Sequence, residues 1–165
     1  MSSVLSKRVF LTAGAALLLA GCGSRQRAAE AEQPTRNANP DEPPLYPNET
    51  PELRAQINKW ADFYEVPRTL VHRVVIREST HRPWARNGPY YGLMQILPET
   101  ARSMGYRGSA EGLLDAEANL EFAVKYLRGA WLVSDGNEAE AVSWYARGYY
   151  YEAKRLGLLE ETGLR

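Results

Sequence analysis

From Thr50 onward, apolar residues recur at helical spacing. Leu53, Ile57, Trp60, Ala61 and Tyr64 predict an amphipathic helix running to about Glu65. Thr50 can cap it, Pro51 suits its first position, and Glu52 complements the positive end of its dipole. A second helix begins at Pro67, with Leu70, Val71, Val74 and Val75 as its inner stripe. "LPETARSMG" predicts a short helix opening at Pro98 and closed by Gly105. "DAEANLEFAVKYLRGAWL" predicts a longer one, capped by Asp115 and turning Leu120, Ala123, Leu127 and Trp131 inward. A further helix runs from Asn137 through Ala141, Val142 and Tyr145. Strand alternation is poor throughout; only "YYGLMQI" reads as a short extended piece, and Pro83, Gly88 and Pro89 mark an irregular loop between Thr80 and Tyr91. The fold class is therefore mainly α, with an irregular loop and at most a short extended or β segment.

Before Thr50 the helical period is absent. Residues 22–49 are rich in Pro, Ala, Asn and charge, with Tyr46 their only aromatic residue, and cannot bury enough apolar area to offset ordering entropy. They read as a tether to a domain at residues 50–165. Further upstream, Lys7 and Arg8 precede "VFLTAGAALLLA", a run shorter than the roughly 20 residues of a spanning helix, so residues 1–21 read as a signal peptide. The run ends in "LAGC", which resembles a bacterial lipobox. That resemblance implies a lipid anchor on Cys22, the only cysteine, and Gly23 after it favours the outer membrane, facing the periplasm of the cell envelope.

Composition narrows the function classes. Lys+Arg and Asp+Glu balance at 20 each, giving a formal charge of +0, so nothing marks a nucleic-acid partner. A lone cysteine excludes an intramolecular disulfide. His72 and His81 have no metal-ligand spacing and read as solvated, so neither a metal nor a cofactor is expected.

Glu78 stands out. It lies seven residues after Val71, within about 20° of it on a helix turning 100° per residue, and so faces the core side in the last turn. Burial and the helix dipole both favour its protonated form, which suits a general acid. The plain alternative is a surface glutamate paired with Arg77, Arg82 or Arg86. Gln95 in an apolar run also needs a defined role, because a buried amide needs partners. Leu93 and Met94 can be core, and Asn119 reads as a structural hydrogen-bonder.

"RES", "GLMQILPETA", "DAEANLEFAVKYL" and "AVSWYARGYY" together resemble, in order and spacing, the successive motifs of the lytic transglycosylase catalytic domain, a relative in fold of goose-type lysozyme. The resemblance runs from about Pro67 to Gly148 and implies a lysozyme-like helical domain. It makes Glu78 the single catalytic acid/base and places Ser79, Met94, Gln95 and Tyr145 at the sugar, with the tyrosine hydroxyl near the catalytic carboxyl. It implies peptidoglycan glycan strands as substrate, cut between N-acetylmuramic acid and N-acetylglucosamine to leave a 1,6-anhydro end; it names no protein partner. Two departures stand out: Ala146 replaces the asparagine common in the fourth motif, and the loop after Ser79 lacks a serine often found there. Trp84, Tyr90, Tyr91 and Tyr149 to Tyr151 offer flat faces for pyranose rings. The alternatives are a hydrolytic, lysozyme-like muramidase and a peptidoglycan-binding or assembly lipoprotein.

Overall fold

The computed structural model describes residues 43–164. Cys22, the signal-like run and the tether as far as residue 42 lie outside them. The chain forms α1 (Pro51–Phe63), α2 (Arg68–Ser79), a hairpin of β1 (Arg86–Asn87) and β2 (Tyr90–Tyr91), α3 (Pro98–Ser103), a 3-10 turn (Glu111–Leu114), α4 (Ala116–Val133), α5 (Glu138–Arg147) and α6 (Tyr150–Leu156). Thr50 and Asp115 cap as predicted, and Asn137, where a helix is expected to begin, caps too. Thr50 Oγ1 accepts from Leu53 N at 3.1 Å, Asp115 Oδ1 from Ala118 N at 2.9 Å and Asn137 Oδ1 from Glu140 N at 3.1 Å. Each satisfies a backbone donor the first helical turn leaves unpaired.

Helix α4 is the axis of the core. Its buried stripe of Leu120, Ala123, Val124, Leu127 and Ala130 meets Ile57 and Ala61 of α1, Leu70, Val71, Val74 and Val75 of α2, and Ala141, Val142 and Tyr145 of α5 in one hydrophobic cluster. Gly129 lets α6 approach: a Cβ there would lie 2.2 Å from the Tyr149 hydroxyl, which donates to Tyr126 O at 2.7 Å. The hairpin is antiparallel, Arg86 opposite Tyr91 and Asn87 opposite Tyr90, and Tyr91 bridges on to Ile96. The predicted extended piece is thus a two-residue strand joined to a turn. Among the described residues, no helix is long and apolar enough to cross a membrane.

Two expectations change. The last residues assigned to the tether, Pro43 to Glu49, lie against the helices. Arg54 donates to the carbonyls of Pro43 and Pro44 and grips the buried Glu49 carboxylate, Nε to Oε1 at 3.0 Å and Nη2 to Oε2 at 2.5 Å. Burial alone would raise that carboxyl, but hydrogen bonds from Arg54 and from Tyr46 N, with neighbouring positive charge, hold it below the usual carboxylate range. The histidines are not solvated either. His81 is fully buried and His72 partly so. The cause is local: Thr80 and His81 both take left-handed backbone, φ 51° and 58°, which ends α2 and turns His81 inward beneath Tyr46. The two rings stack at 5.3 Å and 10°. Burial pushes both imidazoles below the ordinary histidine value, the Glu49 charge opposing it, so both are neutral at neutral pH.

Candidate active site

Helix α2 carries Glu78 into its last turn, and Thr80 terminates the helix. The Glu78 side chain keeps 24% of its surface exposed, so a substrate can reach it. Burial raises its carboxyl above the ordinary value, and Arg77, with Nε 3.5 Å from Oε1, partly opposes the rise. No hydrogen bond among the described residues ends on this carboxylate. A carboxyl that is accessible, proton-prone and held by no hydrogen bond, only by the ion pair with Arg77, is equipped to give a proton and take one back.

The wall beside it is built from backbone groups locked by buried side chains. Asn119, on the first turns of α4, donates Nδ2 to Tyr91 O at 2.8 Å and to Leu113 O at 2.9 Å, while its Oδ1 accepts from Met94 N at 2.9 Å. From α5, the Tyr145 hydroxyl donates to Met94 O at 2.8 Å. Both backbone groups of Met94 are therefore fixed from opposite helices. Gly92 is the residue this junction requires: its φ is +74°, and a Cβ would fall 2.2 Å from Asn119 Nδ2 and 2.3 Å from Leu113 O. Gln95, also left-handed at φ 49°, turns its amide inward and donates Nε2 to Gly92 O at 2.8 Å and to Ala85 O at 3.1 Å.

The residues expected at the sugar are thus brought together, though most act from behind the surface. The Met94 side chain is fully buried alongside Leu93, as an apolar side chain flanked by core helices must be. Ser79 is buried too; its Oγ donates to Val75 O and accepts from Arg82 N, both at 3.3 Å, and so shapes the start of the loop. Tyr145 stands in the electrostatic field of Glu78, since burial and then the Glu78 charge raise its phenol, but its hydrogen bond goes to Met94 and not to the carboxyl. The exposed aromatics after Glu78 are Trp84 at 67%, just before β1, and Tyr90 at 40%, in β2. A second aromatic face lies beyond α5. There Arg147 stacks 3.7 Å over the Trp144 ring, and Trp144, Gly148, Tyr150 and Tyr151 line a cavity of about 430 Å³. Ala146, in place of the motif asparagine, is exposed on α5.

Asn119 is the residue whose importance the sequence understated: its side chain joins three segments that its neighbours give no reason to associate. A helical domain with a minimal sheet and one proton-prone carboxyl at a helix end is lysozyme-like in architecture. A family model described as the transglycosylase SLT domain matches residues 55–157, and the chain belongs to that family. Lytic-transglycosylase-type cleavage of peptidoglycan is the activity this membership carries, with peptidoglycan as the substrate bound. No solved structure matches the chain.

Proposed function

We propose that this domain cleaves the β-1,4 bond between N-acetylmuramic acid and N-acetylglucosamine without water, with Glu78 as acid and then base. The Glu78 carboxyl protonates the glycosidic oxygen, the bond from the muramyl anomeric carbon breaks, and N-acetylglucosamine leaves with a new hydroxyl. The resulting carboxylate takes the proton of the muramyl 6-hydroxyl. Its oxygen closes on the anomeric carbon, giving the 1,6-anhydro ring and restoring the acid. Most glycosidases place two carboxylates across the scissile bond. The observation that carries the single-carboxyl reading is that the charged group acting on Glu78 is Arg77 and not a second carboxylate. Asp115, which opens the third motif, is occupied as the α4 cap.

Mass spectrometry of soluble products from purified peptidoglycan tests this. Anhydromuramyl ends, one water lighter than reducing ends, are expected. Reducing ends would assign hydrolysis, and intact sacculi would assign a glycan-binding lipoprotein.

The same reading places the domain at the cell envelope, held through lipid on Cys22 and facing peptidoglycan from the outer membrane. Cys22→Ser is expected to move the full chain from the washed membrane fraction to the soluble one while it keeps its specific activity on peptidoglycan. Retention in membranes after a high-salt wash would remove the lipid anchor from this account.

A further inference from the structure

We propose that Glu49, His72 and His81 form a site for one divalent first-row transition metal of the zinc class, away from the catalytic carboxyl. One ligand atom from each lies within 4.8 Å of the other two. Glu49 Oε1 stands 3.6 Å from His72 Nδ1 and 3.7 Å from His81 Nε2. Tetrahedral ligands on bonds of 2.0–2.1 Å are separated by about 3.4 Å, so these two edges need to contract by only a few tenths of an ångström. Two imidazole nitrogens and a carboxylate oxygen are a donor set for zinc and its neighbours rather than for calcium or magnesium.

Three further features point the same way. His81 is fully buried, and neither of its ring nitrogens has a hydrogen-bond partner among the described residues; His72 Nδ1 is likewise buried and unpartnered. Buried polar atoms in native proteins are almost always satisfied, so a cluster of three asks for a ligand. The other ring nitrogen of His72 is paired, Nε2 lying 3.1 Å from Asn58 Oδ1. That contact makes Nε2 the donor and leaves the Nδ1 lone pair directed at the site, the orientation a second-sphere amide gives a metal-bound histidine. Glu49 is in turn held on both oxygens by Arg54. The guanidinium cancels the carboxylate charge, so the donor set is neutral overall, like the three-histidine sets that hold zinc.

Access and role follow from position. His72, alone of the three ligands, lines a cavity of about 450 Å³ together with Tyr46, Arg54 and Asn58, and this is the entry path on the His72 side. The three ligands come from the segment before α1, from the middle of α2 and from the left-handed turn that ends α2. A bound metal would tie the Pro43–Glu49 segment to the helix that delivers Glu78, three residues before His81. The site is structural and its occupancy is independent of the cleavage chemistry.

The test uses the full chain carrying Cys22→Ser, which removes the only thiol. The protein is stripped with a chelator, then titrated with Zn²⁺ by calorimetry and with Co²⁺ by visible absorption. One equivalent of each is expected, Co²⁺ giving the intense bands of a tetrahedral site and Zn²⁺ raising the Tm. His72→Gln, at the cavity rim, is expected to fold by circular dichroism and to bind Zn²⁺ about a hundredfold more weakly or worse. X-ray absorption of the zinc-loaded protein is expected to find two imidazoles and light oxygen ligands, a readout that does not depend on any variant folding. Absence of uptake by the folded protein, unchanged affinity in His72→Gln, or fewer than two imidazoles on zinc would each overturn the assignment.

Discussion

Glu78→Gln is expected to yield a folded protein whose turnover on peptidoglycan is lower by on the order of a thousandfold, about 4 kcal/mol of barrier. The amide keeps the shape of the carboxyl but has no proton to give and recover. Thermal stability should move the other way. Burial raises the Glu78 carboxyl above its reference of 4.5, so the folded state prefers the protonated form. Its favourable contribution is complete below the reference value and is lost as pH rises through the raised folded value, where the charged form burdens the fold. The Gln variant should therefore melt at or above wild type near neutral pH, and the difference should vanish in acid. Because the reaction begins with protonated Glu78, kcat/KM should fall on the alkaline side at a pH above the ordinary carboxylate range. Arg77→Gln removes the charge that opposes this rise and should push that limb higher still. Residual turnover above a few per cent in Glu78→Gln, measured free of contaminating enzyme, would assign the acid to another residue.

Asn119→Ala should be the most damaging single change to the fold around the site. It strands one carbonyl, Leu113 O, and one amide, Met94 N, in the buried interior, and leaves Tyr91 O with Ile96 N as its remaining donor. Each stranded group costs roughly 1–3 kcal/mol, less whatever water recovers by entering the space left. A loss on the order of 3–5 kcal/mol is expected in denaturant unfolding, a large share of the roughly 5–15 kcal/mol a domain possesses. Hydrogen exchange should quicken first at the Met94 amide, since its only acceptor is removed. Asn119→Asp keeps an acceptor for that amide but no donor for the carbonyls, and should be rescued only in part. A loss under 1 kcal/mol in the Ala variant would show that the junction is held by packing alone.

How much of this was legible depended on whether the partners were side chains or backbone. The helices could be read because their apolar period and their caps at Thr50 and Asp115 are local features. Glu78 could be placed on its helix face for the same reason. Helix α6 escaped notice: with seven residues and one buried position, Ala153, it has too few turns for a period to register. The roles of Gln95 and Tyr145 were half visible. Both needed a partner, but the partners are the carbonyls of Ala85, Gly92 and Met94, which no side-chain pattern announces. Pro43 to Glu49 read as tether because a carboxylate among prolines looks solvated, and only Arg54 arriving from α1 makes its burial tolerable. The histidines were misjudged through their spacing, which carries no signature when three separate segments supply the groups.

The ring closed by Ala85, Gly92 and Gln95 bears on how such a domain diversifies. Ala85 O accepts both Gly92 N at 2.8 Å and the Gln95 amide at 3.1 Å, so the hairpin is fastened across its base. A Cβ added at its tip, Gly88, would meet nothing within 4 Å. Lengthening or replacing that tip leaves the fastened base and the Glu78 helix in register, and each doubling of loop length costs only about 0.6 kcal/mol. Residues 87–90, outside the buried and bridged Tyr91, thus form an exchangeable tip that can change while the Glu78 helix stays fixed.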